Sequence, residues 1–174
     1  MKILHLISGL DDGGAESVLF NLCINDDNEH FVISMTDFGK YGFQLKKHGV
    51  YIDNLNLRSG KVTFKGFFDL IKIIKKINPD IIQTWMYHAN IFGGVVSRLT
   101  GFSNIVWSIH ANKIEALKFT TKLVVYFGSI CSYIIPKKII YCSSHSAETH
   151  YSIGYSKNNA QIINNGIDLT IFKS

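Results

Sequence analysis

Seven short apolar runs of strand length alternate along this chain with six longer segments of helical spacing, and this alternation constrains the fold more than any other feature. The strand candidates are Lys2–Ser8, His30–Thr36, Val50–Asn54, Ile81–Thr84, Ile105–His110, Lys138–Cys142 and Gln161–Ile163. Helical segments fall between them at 15–25, 41–48, 63–77, 89–100, 114–134 and 145–152. Runs such as ILHLI, FVIS, IVWSI and KIIYC are nearly continuous in apolar residues rather than alternating, the pattern of strands covered on both faces. The expected fold is therefore α/β: a doubly wound, mainly parallel, Rossmann-like sheet of about seven strands with helices on both faces.

Size and composition agree with one such unit. The chain has 174 residues, 47% of them hydrophobic and 18% charged, which suits one domain with a sizeable core. Two prolines and 12 Phe, 8 Tyr and 2 Trp exclude a disordered or collagen-like chain. Pro79 after Asn78 should end the third helix, Gly101 should cap the fourth, and Ser143 or Ser144 should cap the sixth. Cys23, Cys131 and Cys142 form no CxxC pair, so a disulfide framework and a zinc site are both disfavoured. The start, MKILHLISGLDDGG, lacks the pattern of a secretory signal. The apolar stretch at 123–136 falls short of the roughly 18 residues needed to span a bilayer, so it is expected to be a buried helix.

The net charge of +5 hides an asymmetry. Residues 1–57 carry four Lys and eight acids, whereas 58–174 carry fourteen Lys or Arg and five acids. A basic second part suggests an anionic partner. Between Arg58 and Lys76 the basic residues include Lys65, Lys72, Lys75 and Lys76 against the single acid Asp69. Such a basic amphipathic helix suits an anionic lipid surface, and equally suits a sheet-covering helix with a solvated lysine face. Nucleic acid is disfavoured because no nucleic-acid motif accompanies the charge.

Ligands of open α/β sheets bind beyond the carboxyl ends of the strands. The segments there are SGLDDGGAE, WMYHAN, HAN, SSHSAE and NNGID. Gly13 and Gly14 precede the first helix and would let an anion approach its N-H groups. Gly9 and Gly14 have Walker A spacing but are followed by Ala15 and Glu16, and the glycines also miss GxGxxG. Glu16 would sit in the first helical turn, where capping is its default role. His110 would reach the crevice from the end of the fifth strand and could hydrogen-bond or move a proton. Trp85, Tyr87, His88 and Asn90 form a loop whose mixed stacking and polar groups suit a sugar, or a lid on the core. His145 and His150, with Glu148, read as a solvated helix start, since HSAETH is not HExxH.

Taken together, KILHLISGLDDGGAESVLFNL, DIIQTWMYHANIFGGVVSRLTG, VWSIHAN and IINNGIDLTIF resemble the N-terminal domain of group 1 (family 4) retaining glycosyltransferases. The resemblance covers essentially the whole chain and implies half of a GT-B architecture, in which two Rossmann-like domains face across a cleft. It implies that residues 1–164 form the acceptor-side domain and that 165–174, with Asn165, Gly166 and Asp168, begin the interdomain hinge. Gly13 and Gly14 would face the donor diphosphate, His110 would lie near the transferred sugar as the catalytic candidate, and Glu16, Trp85, Tyr87, His88, Asn90 and Asn112 would line the acceptor side. The implied reaction transfers a sugar from a nucleotide-sugar to a glycan or lipid-linked acceptor, with retention and without a metal or other cofactor. Surface polysaccharide assembly is the implied setting, in the cytoplasm with peripheral attachment to the inner face of a membrane.

The sequence departs from that family by stopping after the hinge, without the Glu-x7-Glu motif and basic residues of the donor-binding half. A partner domain in cis or trans is therefore expected, and the chain alone should be nearly inactive. The competing expectation is a non-enzymatic membrane- or partner-binding module built on the basic helix. A sugar-nucleotide epimerase of the same architecture is disfavoured, because it too would need the second domain.

Overall fold

The computed structural model describes residues 1–58, 61–111 and 113–166. Seven strands form one all-parallel sheet: β1 (Lys2–Ile7), β2 (Glu29–Ser34), β3 (Tyr51–Asn54), β4 (Ile81–Trp85), β5 (Ile105–Ile109), β6 (Lys138–Tyr141) and β7 (Ala160–Ile162). Between them lie α1 (Gly14–Asn25), α2 (Gly39–Lys47), α3 (Phe64–Ile77), α4 (Tyr87–Leu99), α5 (Phe119–Cys131) and α6 (Ser144–Ser152). The spatial order is β3-β2-β1-β4-β5-β6-β7. The chain winds outward from β1 to β3 and returns through α3 to β4 on the other side of β1. The switch point lies between β1 and β4.

Right-handed crossovers put α1 and α2 on one face and α3 to α6 on the other. The pleat of β1 serves both: Leu4 and Leu6 join α3 and α4 in one core cluster, while Ile7 joins Leu19, Leu45 and Trp85 in another. A third cluster packs Trp107 and Tyr141 of β5 and β6 against Val125 and Ala147 of α5 and α6. Both faces of the central strands are thus buried, which is why their sequences read as continuous apolar runs. On the first face, the helices cover β1 to β3 and reach Trp85 at the end of β4. Gln83, Ser108 and Ile140 of β4, β5 and β6 instead border a cavity of about 480 Å³.

The ends of the helices follow local chemistry. Thr63 Oγ1 accepts from Gly66 N at 3.1 Å to cap α3, and Ser143 Oγ accepts from Ser146 N at 3.1 Å to cap α6. The Ser143→Ala variant is expected to lose about 1 kcal/mol in urea unfolding; an unchanged midpoint would show that water replaces the cap without cost. Asn78 closes α3 in the left-handed region at φ 48, immediately before Pro79, and Gly101 follows α4 at φ 82.

Three expectations are corrected. The fourth helix starts at Tyr87 rather than 89, because Met86 at φ 71 and ψ 161 turns the chain directly from strand to helix. The fifth starts at Phe119 rather than 114, because Ile114 leaves helical geometry to enter the core, where it is 4% exposed. The 123–136 stretch is not a buried helix: Val125 is buried, but Leu123, Tyr126, Phe127, Ile130, Tyr133 and Ile134 are all more than half exposed. No helix among the described residues is long and apolar enough to cross a membrane.

Candidate functional site

The loop after β1 is held from below by α2. Tyr41 N donates to Leu10 O at 2.9 Å, and Gly39, at φ 47, lies against the backbone of Leu10 and Asp11. Gly13 then caps α1 in an extended conformation, φ -161, that any residue could adopt. A Cβ at 13 would meet only the Glu16 carboxylate, which folds back over it and, as the far end of a flexible side chain, can move aside, so neither conformation nor backbone space demands glycine there. Glu16 accepts from its own backbone N-H, and burial, with a smaller contribution from Asp11, raises its pKa. The protein's own carboxylate therefore occupies the N-terminus of α1, where backbone N-H groups and the helix dipole favour negative charge.

Across the switch point, His110 follows β5 with its ring stacked on Trp85, centroids 5.2 Å apart and planes 19° off parallel. Burial lowers the His110 pKa, opposed by a hydrogen bond with the Asn165 side chain. Its Nδ1 is buried and has no hydrogen-bond partner among the described residues. Trp85, His110, Asn165 and Gly166 share the walls of the 480 Å³ cavity with Val18 and Leu22 of α1. Gly166 does not use the left-handed region, so no special backbone need accounts for it.

Trp85 is fixed in turn by a polar chain through the core that the sequence reading missed. Its indole can only donate, and Nε1 lies 3.2 Å from His5 Nδ1. His5 must then carry its proton on Nε2, which donates to His30 Nδ1 at 2.9 Å. His30 Nε2 in turn faces Asp26 Oδ2 at 3.3 Å. Both histidines are buried, and burial lowers both pKa values, that of His5 to about 3. Part of the signal was available: His5 is a polar residue inside an apolar strand, and buried polar groups need partners, whereas His30, at the start of a strand that also holds Glu29 and Ser34, carried no such mark. His5, His30 and Cys23 place their donor atoms within 4.8 Å of one another, the one metal-sized cluster among the described residues. The indole argues against a metal there: a metal on His5 Nε2 would force a proton onto Nδ1, facing the indole N-H.

The remaining candidates separate. Tyr87 and Asn90 belong to the first turn of α4 and face the core rather than a loop. Tyr87 is 3% exposed with its hydroxyl 2.8 Å from His150 Nε2, and the Asn90 amide engages Thr84 at 2.7 Å. His150 is fully buried, with Nδ1 bonded to Ser146 O at 2.7 Å, so it is not part of a solvated helix start; His145 and Glu148 are exposed. His88 is half-buried and faces a different cavity from His110. Lys65, Lys72, Lys75 and Lys76 are exposed along α3, where Lys65 pairs with Asp69 at 2.7 Å. Asn112 and Asp168 lie outside the described residues.

The cluster that holds together is thus His110, Trp85 and Asn165 at the carboxyl edge, facing Val18 and Leu22 of α1. It offers a neutral imidazole with a buried, unpartnered nitrogen and an aromatic floor.

The family described as Glycosyltransferase Family 4 matches the chain over residues 5–171. Among solved structures, Anabaena Alr3699/HepE in complex with UDP-glucose superposes with a TM-score of 0.83 at 19% identity, covering 100% of this chain and 46% of that one. The lipopolysaccharide outer core galactosyltransferase WaaB in its apo form gives 0.68 at 17% identity, covering 97% and 46%. UDP-N-acetylglucosamine 2-epimerase from Rickettsia bellii gives 0.59 at 12% identity, covering 95% and 45%. At these identities the likeness is one of fold. The chain spans about half the length of each of these structures, and no curated protein sequence matches it.

Proposed function

The chain belongs to glycosyltransferase family 4, and from that premise we propose that it is the acceptor-side half of a retaining sugar transferase. The donor is a nucleotide-sugar of the UDP-glucose type, the ligand seen in HepE. The acceptor is a glycan or lipid-linked glycan of surface polysaccharide assembly, met in the cytoplasm at the inner face of a membrane. A second domain, in cis or trans, holds the nucleotide.

The single observation that carries this reading is the placement of His110. It stands at the switch-point edge on an aromatic floor, with a buried nitrogen that has no partner among the described residues and a pKa lowered by burial. A histidine kept neutral near pH 7 can offer a hydrogen bond to a sugar hydroxyl or carbonyl without adding charge. During transfer the bond from the anomeric carbon to the diphosphate oxygen breaks, a bond to the acceptor oxygen forms, and the acceptor's proton passes to an oxygen of the departing diphosphate. Fixed donors aimed at the charge that develops are worth most where water is excluded. Glu16 would have to leave the α1 N-terminus before a diphosphate could use it, and its raised pKa makes that easier.

In the two-domain enzyme, His110→Ala is expected to lower kcat for sugar transfer by about 10²–10³-fold, while thermal unfolding stays cooperative. Retention of full kcat would remove His110 from the chemistry. Transfer from UDP-glucose by these 174 residues alone would overturn the division of labour between the halves.

A further inference from the structure

A second cavity, of about 250 Å³, opens at the carboxyl edge on the opposite side of the sheet from His110. Arg58 and Lys61 enter it from the connection after β3, and Lys118 from the residue before α5. Thr120 and Thr121, in the first turn of α5, add hydroxyls, and that helix has no side-chain cap on its N-terminal N-H groups. Ser8 also lines the cavity, and its buried Oγ has no partner among the described residues. None of the lining residues is acidic. Three cations, hydroxyl donors and an uncapped helix start describe a site for a phosphoryl group.

The cavity does not end there. Met35 and His88 are shared with an adjoining apolar compartment of about 320 Å³, whose other walls include Val62, Phe92, Val95 and Val124 from α4, α5 and the approach to α3. Val62 is shared again with a recess of about 570 Å³ walled by Phe64, Phe67 and Phe68. The surface around this end is apolar: Phe64 is 88% exposed, and Phe119 and Leu123 are each more than half exposed. One groove therefore runs from a cationic end, through an apolar middle, to an open aromatic rim.

We propose that this groove binds a lipid phosphate: the phosphoryl head between Arg58, Lys61 and Lys118, and the hydrocarbon chain along α3, α4 and α5 toward the rim. That division of charge is the complement of such an amphiphile. A nucleic acid would need the positive charge continued along the groove, and a free phosphate would leave the apolar length unused. Taking this ligand as the head of a lipid-linked acceptor rests on the transferase reading above; the binding itself does not.

The test uses the chain carrying ¹³C-methyl methionine, which gives three signals, from Met1, Met35 and Met86. Dodecyl phosphate, below its micellar concentration, is expected to shift Met35, which walls both compartments, and to leave Met1 unmoved. Hexyl phosphate should bind at least tenfold more weakly, because burying each methylene favours binding. Inorganic phosphate and the uncharged octaethylene glycol monododecyl ether should bind at least tenfold more weakly than dodecyl phosphate. The exposed double variant Arg58→Glu with Lys118→Glu should weaken dodecyl phosphate at least tenfold and leave the uncharged amphiphile as in wild type. Inorganic phosphate matching dodecyl phosphate reduces the groove to an anion site and overturns the proposal. The uncharged amphiphile matching it reduces the groove to a greasy face and overturns the proposal as well. Recruitment to phosphatidylglycerol vesicles without any shift of Met35 by dodecyl phosphate also overturns it, leaving a membrane surface in place of a groove. Groove binding without transfer to any lipid-linked acceptor by the two-domain enzyme would instead sink the acceptor reading and leave the lipid phosphate site standing.

Discussion

Lowering the pH from 7 to 5 is expected to cost this chain a large part of its stability, well before its carboxylates titrate. His5 is completely buried, and burial together with the neighbouring His30 holds its pKa near 3, against the opposing pull of Asp26. In the unfolded chain the same imidazole titrates near 6.5. Above pH 6.5 both states are neutral and nothing is lost. Below it the unfolded state takes up a proton that the folded state refuses, so stability falls by about 1.4 kcal/mol per pH unit for this one group. By pH 5 that is about 2 kcal/mol, against a typical total of about 5–15 kcal/mol. His30, His88, His110 and His150 are lowered too and act in the same direction. Asp26 and Asp69 have lowered pKa values, so their contribution is complete above pH 4 and is lost only below that window. Glu16 acts in the opposite sense: its raised pKa means that protonation relieves the folded state, which partly offsets the loss. Urea unfolding at pH 7, 6 and 5 reads the sum, and a midpoint that does not move would show that the His5–His30 chain is not buried and neutral as described.

The second large effect is expected at a position remote from any ligand contact. In Gly39→Ala the new Cβ would lie 2.5 Å from the carbonyl carbon and oxygen of Leu10 and 2.7 Å from Asp11 N. These are backbone atoms and cannot rotate aside. The residue also sits at φ 47, a conformation that costs an L side chain about 1–2 kcal/mol, and overpacking adds about 1–3 kcal/mol. A loss of about 2–5 kcal/mol is expected, along with displacement of the loop that carries Gly13 and Gly14. Gly49→Ala is the matched control: it too has positive φ, at 78, but its Cβ would enter open space. Its loss should stay within the conformational cost alone, about 1–2 kcal/mol. Equal losses in the two variants would show that the α2 contact does not hold the loop.

The architecture was legible because it rests on signals that are local in sequence. The apolar runs of β1, β4 and β5 announced strands inside a sheet flanked on both sides, although one face of β4 and β5 borders a cavity rather than a helix, and Pro79 and Ser143 marked helix ends through chemistry confined to a few residues. Met86 carried no such signal. It turns the chain at positive φ without being glycine, so the loop read at Trp85–Asn90 became a helix start, and Tyr87 and Asn90 went into the core. The 123–136 stretch misled for another reason: hydropathy measures how apolar a segment is, and cannot say whether anything covers it.

Of the candidate site, His110 could be placed at the crevice from its position after a buried run, because strand direction in a parallel sheet fixes which end the residue occupies. Its aromatic floor could not. The stacking on Trp85, and the chain through His5 and His30 to Asp26, join β5, β4, β1 and the segment before β2, which become neighbours only through the order β2-β1-β4-β5. The second groove draws its walls from residues 8, 35–36, 57–58, 61–64, 67–68, 88–95 and 118–124, stretches that mean nothing together until the sheet assembles them. By itself, then, the sequence determined which segments are strands and helices, that the sheet is parallel, and which family the chain resembles, since periodicity, capping and motifs are written in neighbouring residues. Only the tertiary structure decided which polar groups are paired, which apolar face stays open and which cations share a cavity, because those are matters of distance between side chains far apart in the chain.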